Sequence, residues 1–220
     1  MVGICFFAPL SISNTELCGI SEREGVFECF GEGEQDRINK ISNSTGRALS
    51  LGGLVALGRA LNRFENCEAD TRIVRDGLGK PRFACGAPYF SIAHAGDLSV
   101  AAVSVMGELG VDIERIDQGR DIERIARKFF SEGEQKQFFG ADDRVREFYR
   151  IWTAKEAMMK LGGAGMISIM SSDSAEAEVS GELHFMRYDV SFGKEDYILT
   201  VCAEDEEKIE IMACEGVQIF

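Results

Sequence analysis

The chain has 220 residues, of which 45% are hydrophobic and 28% are charged. This is the composition of a globular protein, and it excludes a disordered, collagen-like or coiled-coil chain. The formal net charge of −13 argues against nucleic acid as a partner, because a polyanion needs a broad basic face. A small anion can still bind where a few Lys and Arg side chains converge, and the excess of carboxylates favours metal cations.

The seven cysteines and two histidines do not form a recognisable zinc motif, because no C-x-x-C pair occurs. Scattered, odd-numbered thiols are typical of a reducing compartment. Residues 1–7 lack a basic leader region and are predicted to form a strand, and no apolar run is long enough for a membrane span. We therefore expect a cytoplasmic protein without a membrane partner.

Hydrophobic periodicity predicts the elements in chain order. The first strand is followed by an acidic, Gly-containing stretch at 22–34, a helix that starts near Asp36, and a second helix capped by Ser44 or Thr45. Further strands are predicted at 71–74, 89–93, 98–106 and 111–114, further helices at 121–130 and 147–161, and mainly strands after that.

Each half of the chain thus offers helices and several strands, with no linker between the halves and no clear internal repeat. This pattern predicts an α+β fold of two similar-sized lobes. We place their boundary in the turn at 107–110, so that residues 1–108 form the N-terminal lobe and residues 109–220 form the C-terminal lobe.

Two acidic side chains are predicted to lie side by side on one strand. In a strand, residues i and i+2 point to the same face, so Asp112 and Glu114 project together. Two neighbouring carboxylates repel each other unless a proton or a cation lies between them, and Mg²⁺ prefers such oxygen ligands. The alternative is a solvated acidic edge.

The predicted helix at 147–161 carries a second group of polar residues. Trp152, Glu156 and Lys160 share one face at i, i+4 and i+8, and Lys155 lies about 100° away. Glu156 could complete a metal site of three carboxylates, and both lysines could neutralise phosphate oxygens. The alternative is a surface Glu–Lys pair. Trp152 is predicted to be a packing residue in either case.

The remaining candidates are one histidine and several basic residues. His94 follows a strand and precedes a tight turn, so its ring is expected at the rim of a cleft, where it could donate to a phosphate. A structural His is the alternative. The basic candidates of the first half, each of which could equally be a solvated surface residue, are Arg37, Lys40, Arg47 and Lys80.

In their order along the chain, these motifs resemble the phosphopantetheinyl transferases, and in particular the single-chain Sfp-type branch. The matching segments are G-K-P at 79–81, S-x-x-H-x-G at 91–96, G-V-D-I-E at 110–114 and F-x-x-x-W-T-x-K-E-A-x-x-K at 148–160. The resemblance extends from about residue 37 to residue 203.

The resemblance implies two lobes related by a pseudo-two-fold axis, with coenzyme A in the cleft between them. By position in the motifs, the Mg²⁺ ligands (Mn²⁺ is the alternative metal) would be Asp112, Glu114 and Glu156. The contacts to coenzyme A would be made by Arg37, Lys40, Arg47, Lys80, His94, Lys155 and Lys160. The residues closest to the reaction would be His94, Asp112, Glu156 and Lys160.

The implied reaction is attack by a serine hydroxyl of an acyl, peptidyl or aryl carrier protein on the β-phosphate of coenzyme A, which releases 3′,5′-ADP. Either Glu156 or a metal-bound water accepts the serine proton. One chain of this length suffices for the whole site, so we expect a monomer. Phe138, Phe139 and Met166 are candidates for carrier contacts, and core packing is their alternative.

Three other functions are weighed against this one. A non-catalytic relative that only binds coenzyme A or a carrier protein is the main alternative, although the presence of all three carboxylates and both helix lysines argues against decay. A metal-dependent nuclease would need a lysine at the position of Ile116. A transferase with a Cys or Ser nucleophile would need a nucleophile–His–acid pattern, and none is readable.

Overall fold

The computed structural model describes residues 1–62, 70–77, 79–162, 173–205 and 208–220. The fold is α+β, as predicted. Its helices are α1 Asn14–Arg23, α2 Val26–Phe30, α3 Glu32–Asn39, α4 Ser44–Leu61, α5 Ile122–Phe129, α6 Glu132–Gly140, α7 Arg144–Gly162 and α8 Ser174–Ser180, with a 3₁₀ turn at Pro9–Ser11. Its strands are β1 Val2–Phe7, β2 Ile73–Arg75, β3 Pro81–Phe83, β4 Tyr89–Ala95, β5 Leu98–Ser104, β6 Leu109–Arg115, β7 His184–Phe192, β8 Glu195–Ala203, β9 Ile209–Met212 and β10 Val217–Ile219.

The first sheet has the strand order β4-β5-β1-β9 and supports helix α4. Its central strands β1 and β5 are antiparallel and almost entirely buried, as their apolar sequences predict. Helix α4 begins at Ser44 because the Asn43 side chain accepts a hydrogen bond from the Thr45 N–H at 3.0 Å. The cap is therefore Asn43, one residue before Ser44 and two before Thr45, the two predicted positions.

The second sheet has the order β10-β7-β8-β6 and is antiparallel throughout. Helix α7 packs across β6 and β8. The approach of α7 to β6 is so close that a Cβ atom on Gly110 would lie 1.8 Å from the carbonyl oxygen of Ala157. Glycine at this position is thus what allows the helix to reach the strand.

The two sheets meet in a shared apolar layer. Its buried residues come from both sheets and include Ile4, Val100, Val111 and Val201. A buried hydrogen bond joins the sheets where β4 passes β6, since the Ser91 hydroxyl accepts from the Val111 N–H at 3.0 Å. This contact fixes the position of β4 relative to β6.

Two regions differ from the prediction. The chain from residue 14 to residue 30 contains helices α1 and α2, where no helix was predicted and residues 22–34 were described only as an acidic, Gly-containing stretch, and α3 begins at Glu32 rather than near Asp36. A capping box between Ser13 and Glu16 starts α1. In the C-terminal part, which was predicted to be mainly strand, α8 is an additional helix capped by Asp173.

The division into lobes at residues 108 and 109 stays a prediction. The topology adds one fact about it, because β9 pairs in parallel with β1 and so places residues 209–212 in the first sheet. The C-terminal part of the chain therefore contributes a strand to the sheet built mainly from N-terminal residues. Within the described residues, no helix is both long and apolar enough to cross a membrane.

Candidate active site

A cleft lies where the end of β4, the strand β6 and the helix α7 come together. We call it the β6–α7 cleft. Four of the predicted site residues line it, namely His94, Asp112, Glu114 and Glu156. Lys160 reaches the same place from α7 and contacts Asp112. These five residues therefore lie close together in the fold.

Strand alternation produces the acidic pair. Val111 and Ile113 are buried in the core, and Asp112 and Glu114 consequently lie on the opposite face of β6. Asp112 is itself only 7% exposed, and its Oδ1 atom accepts a hydrogen bond from the Lys160 ammonium at 2.8 Å. Its other oxygen, Oδ2, is buried and has no hydrogen-bond partner, so a ligand of Asp112 would find this oxygen available.

Lys160 connects the helix to the strand at this point. Besides the contact with Asp112, its ammonium donates to the carbonyl oxygen of Val111 at 3.0 Å. The side chain is 29% exposed, because it borders the cleft. One helix turn earlier, Glu156 belongs to the same face of α7 and also lines the cleft.

Glu114 is held from two sides. The indole Nε1–H of Trp152 donates to its Oε1 atom at 3.1 Å. The guanidinium of Arg120 lies 3.6 Å from its Oε2 atom. The carboxylate of Glu114 is therefore restrained by a residue of α7 and by a residue of the loop between β6 and α5.

The electrostatics of the cleft reflect first the burial of its side chains and then the charges of their neighbours. Burial raises the pKa of Asp112, although the charge of Lys160 opposes the shift. Burial, followed by repulsion from Asp112, raises the pKa of Glu114 and of Glu156. Burial, followed by the positive charge of Lys160, lowers the pKa of His94. A cation placed among the three carboxylates would relieve this repulsion.

The donor chemistry fits a divalent cation that prefers oxygen ligands. Within the described residues, no three acidic, His or Cys side chains already form a ready metal cluster. Two of the three acids instead contact basic or hydrogen-bond-donating side chains: Asp112 contacts Lys160, and Glu114 contacts Trp152 and Arg120. The fit rests on the buried, unpartnered Oδ2 of Asp112 and on the mutual repulsion of three carboxylates in one cleft.

Lys155 does not reach this cleft, and the placement corrects the expectation for it. Its side chain is completely buried, and its ammonium lies 2.7 Å from Oε2 of Glu134, which is equally buried. Glu134 also accepts hydrogen bonds from the backbone N–H and the hydroxyl of Ser174. A phosphate in the cleft cannot contact a lysine with no exposed surface, so direct contact between Lys155 and coenzyme A is not supported.

The basic candidates of the first half also lie outside the residues that line the cleft. Lys80 is buried and donates to Oε2 of Glu108 and to the carbonyl oxygen of Leu161, both at 2.6 Å. Its ammonium therefore holds the C-terminal end of α7. Arg37 is paired with Glu34 at 2.7 Å, in an i, i+3 contact on α3.

The other two basic candidates are exposed. The Arg47 guanidinium donates to the carbonyl oxygen of Ile41, and Lys40 follows the last turn of α3. Neither of them lines the cleft beside Asp112, Glu114 and Glu156, the three residues that we call the acidic cluster, and their contact with coenzyme A stays a prediction. Of the candidates for carrier contacts, Phe138 is completely buried, which favours core packing, and Met166 lies outside the described residues.

Sequence reasoning missed several residues that line the cleft, among them Arg115, Asp117, Arg120 and Tyr149. The Tyr149 hydroxyl accepts from the Asp117 N–H at 2.9 Å and donates to the Asp117 carbonyl oxygen at 3.2 Å, so that it fixes the loop that carries Arg120. Their sequence signal is weak, because an Arg in a polar loop and a Tyr in an aromatic run have many ordinary explanations.

Comparison with known proteins gives a consistent result. The family model described as the 4′-phosphopantetheinyl transferase superfamily matches residues 108–202, which include β6, α7 and the whole acidic cluster. The chain is 37% identical over 131 residues to the 4′-phosphopantetheinyl transferase AcpT of Salmonella typhimurium, covering 58% of this chain and 65% of that protein.

Two further relatives carry the same description. The chain is 31% identical to a 4′-phosphopantetheinyl transferase of Bacillus subtilis, over 60% of this chain and 59% of that protein. It is 32% identical to the 4′-phosphopantetheinyl transferase HetI of a Nostoc species, over 43% and 42% respectively. The chain thus spans less than two thirds of the length of these relatives. The resemblance to the phosphopantetheinyl transferases that the motifs predict is confirmed, and residues 108–202 match the model of the 4′-phosphopantetheinyl transferase superfamily.

Proposed function

We propose that this protein transfers the 4′-phosphopantetheine group of coenzyme A to a serine of an apo carrier protein in a Mg²⁺-dependent reaction. The observation that carries the proposal is the convergence of Asp112, Glu114, Glu156, His94 and Lys160 on one cleft. Three carboxylates, a lysine and an imidazole suit phosphoryl transfer, in which positioning and charge neutralisation matter more than covalent help.

In this proposal Asp112, Glu114 and Glu156 hold the Mg²⁺. When bound, the metal neutralises charge on the pyrophosphate of coenzyme A. The unpartnered oxygen of Asp112 and the repulsion among the three acids support this assignment, because both features become favourable beside a cation.

The side chains around the acidic cluster bind and orient the anionic substrate. Lys160 already lies within 2.8 Å of Asp112 and adds a fixed positive charge beside the phosphates. Burial and the charge of Lys160 lower the pKa of His94, and the imidazole can donate an N–H to a phosphate oxygen in either protonation state. The serine Oγ forms a bond to the β-phosphorus while the bond to the bridging oxygen breaks, and 3′,5′-ADP departs with that oxygen.

Glu156 is our candidate for the base that accepts the serine proton. Its carboxylate lines the cleft, and a carboxylate that contacts a cation through one oxygen keeps its other oxygen to accept a proton. It lies on the same face of α7 as Lys160, so the base and the phosphate-binding cation are one helical turn apart.

The experiment is the intact mass of apo carrier proteins of the acyl, peptidyl and aryl classes after incubation with this protein, coenzyme A and Mg²⁺. We expect one carrier to gain a single phosphopantetheine group, and EDTA to prevent the gain. Absence of any gain across all classes, with coenzyme A bound normally, would refute the transferase and leave the non-catalytic binding protein as the function.

A further inference from the structure

The indole of Trp152 is placed where a metal-site carboxylate needs support. Trp152 is the only tryptophan of the chain. Its Nε1–H donates to Oε1 of Glu114 at 3.1 Å, which ties α7 to β6. Sequence analysis predicted a packing residue at this position, but packing alone does not require the N–H to point at an acidic cluster.

Aromatic neighbours hold the indole in one orientation. Phe148 stacks on it with a centroid distance of 6.0 Å and an interplanar angle of 11°, and Phe129 meets it edge-on at 5.7 Å and 77°. The Arg120 guanidinium lies 5.3 Å from the centre of the Trp152 rings. Rotation of the indole would disrupt all three contacts, so the direction of its N–H bond is fixed by packing.

The carboxylate that receives this hydrogen bond would otherwise be unstable in its position. Asp112, two residues earlier on the same face of β6, repels it. Carboxylates that bind metals are themselves held by hydrogen bonds from surrounding residues, which keep the ligand oriented. Trp152 supplies such a bond to one oxygen, and Arg120, at 3.6 Å, faces the other oxygen.

We infer that Trp152 is a positioning residue, whose indole N–H keeps the carboxylate of Glu114 directed into the β6–α7 cleft beside Asp112. The inference rests on the proposed function insofar as Glu114 is a metal ligand there. It assigns to the tryptophan of the W-T-x-K-E segment a role that acts through Glu114 and not through the substrate.

The test separates the hydrogen bond from the packing. Trp152→Phe removes the N–H and keeps an aromatic ring against Phe148. Phe129→Leu is the matched control, since it loosens the edge contact on the indole and keeps the N–H. The free Mn²⁺ signal in electron paramagnetic resonance then gives the Mn²⁺ dissociation constant of each variant without turnover, with and without saturating coenzyme A.

We expect Trp152→Phe to weaken Mn²⁺ binding by about tenfold or more, the effect usual for removal of a group that orients a metal ligand. Phe129→Leu should stay within about twofold of the wild type. Urea unfolding of both variants checks that they are folded. Wild-type affinity in Trp152→Phe, or an equal loss in Phe129→Leu, would overturn the inference in favour of plain packing.

The single tryptophan also reports directly on the site. Emission of Trp152 in the wild type should change saturably over the same Mn²⁺ concentrations as the resonance signal. Unchanged emission while Mn²⁺ binds would contradict the inference. Metal binding and a fluorescence response without carrier modification would refute the proposed function and leave the role of Trp152 intact. Absence of Mn²⁺ binding to the wild type under both conditions would refute both.

Discussion

Two faces of helix α7 carry almost the same ion pair in opposite surroundings. On the core face, Lys155 and Glu134 are 2.7 Å apart and both completely buried. On the cleft face, Lys160 and Asp112 are 2.8 Å apart, and the lysine is 29% exposed. On the core face, hydrogen bonds from Ser174 engage the second oxygen of Glu134, whereas the second oxygen of Asp112 has no partner.

This difference shows what distinguishes a structural pair from one available to a ligand. Distance does not distinguish them, and neither does residue type. What distinguishes the two pairs is whether the remaining polar atoms of their side chains have hydrogen-bond partners. A buried polar group without a partner is costly and is stabilised by any suitable ligand. Mutations on the core face of α7 should therefore mainly lower the free energy of unfolding, and mutations on the cleft face should mainly lower turnover.

The largest effect is expected on the cleft face, from Glu156→Gln. The amide has the shape of the carboxyl but can neither accept the serine proton nor bind a cation well. Turnover should fall by roughly 10²–10⁴-fold, measured as the initial rate of carrier modification, while the urea midpoint stays close to that of the wild type. Glu147→Gln on the same helix is the control. Turnover of Glu156→Gln within threefold of the wild type would end its role as base.

The next effect separates the two lysines. Lys155→Met leaves Glu134 as a buried charge without its partner, which should cost about 3–5 kcal/mol of unfolding free energy. Lys160 borders the cleft, so Lys160→Met should cost only about 1–2 kcal/mol of unfolding free energy. When the rates are corrected for the fraction of folded protein, Lys160→Met should nevertheless lower turnover more than Lys155→Met does. Urea titrations and rates on both variants decide this. Equal losses of stability would abolish the distinction between the faces.

The contact of α7 with β6 can be tested at Gly110. Gly110→Ala places a methyl group 1.8 Å from the Ala157 carbonyl oxygen, so helix and strand must separate. We expect a loss of about 3 kcal/mol and a parallel loss of Mn²⁺ affinity, since Glu156 moves away from Asp112. Gly33→Ala on α3, where the added methyl meets nothing within 4 Å, should be neutral or slightly stabilising. A neutral Gly110→Ala would contradict the close approach.

The smallest effect concerns pH and Mg²⁺. The pKa values of Asp112, Glu114 and Glu156 are raised in the fold, so the folded state binds protons more tightly than the unfolded state. The stability from these groups is greatest below their unfolded pKa values near 4 and declines as the pH rises through their folded values. At neutral pH the three charges therefore destabilise the fold.

Mg²⁺ should offset that cost. At a Mg²⁺ concentration tenfold above the dissociation constant, binding should add about 1.4 kcal/mol to the free energy of unfolding at pH 7.5. This gain should shrink as the pH falls and the carboxyl groups bind protons. Thermal unfolding with and without Mg²⁺ between pH 5 and pH 7.5 measures the difference, with Glu156→Gln as the control. A gain that grows on acidification would have the wrong sign for a carboxylate site.

The acidic strand and the long helix could be predicted from the sequence, because alternation and helical spacing are local properties. Asp112 and Glu114 share a face by the period of a strand, and Glu156 and Lys160 share a face by the period of a helix. Helices α1 and α2 were missed because their apolar positions are interrupted by acidic residues and glycines, and the capping box at Ser13 was not recognised.

The partners of the individual cations depend on how distant parts of the chain pack together. Helical spacing places Lys155 about 100° from the face of Lys160, but it does not show which of the two lysines reaches the cleft, and in the fold only Lys160 does. The α+β class, the acidic pair and the family resemblance follow from the sequence alone, since each rests on local periodicity or on ordered motifs. The packing of α7 against β6 determines which carboxylate each lysine contacts and that the Trp152 N–H donates to Glu114. Contacts between residues that are far apart in the chain leave no periodic signal in the sequence.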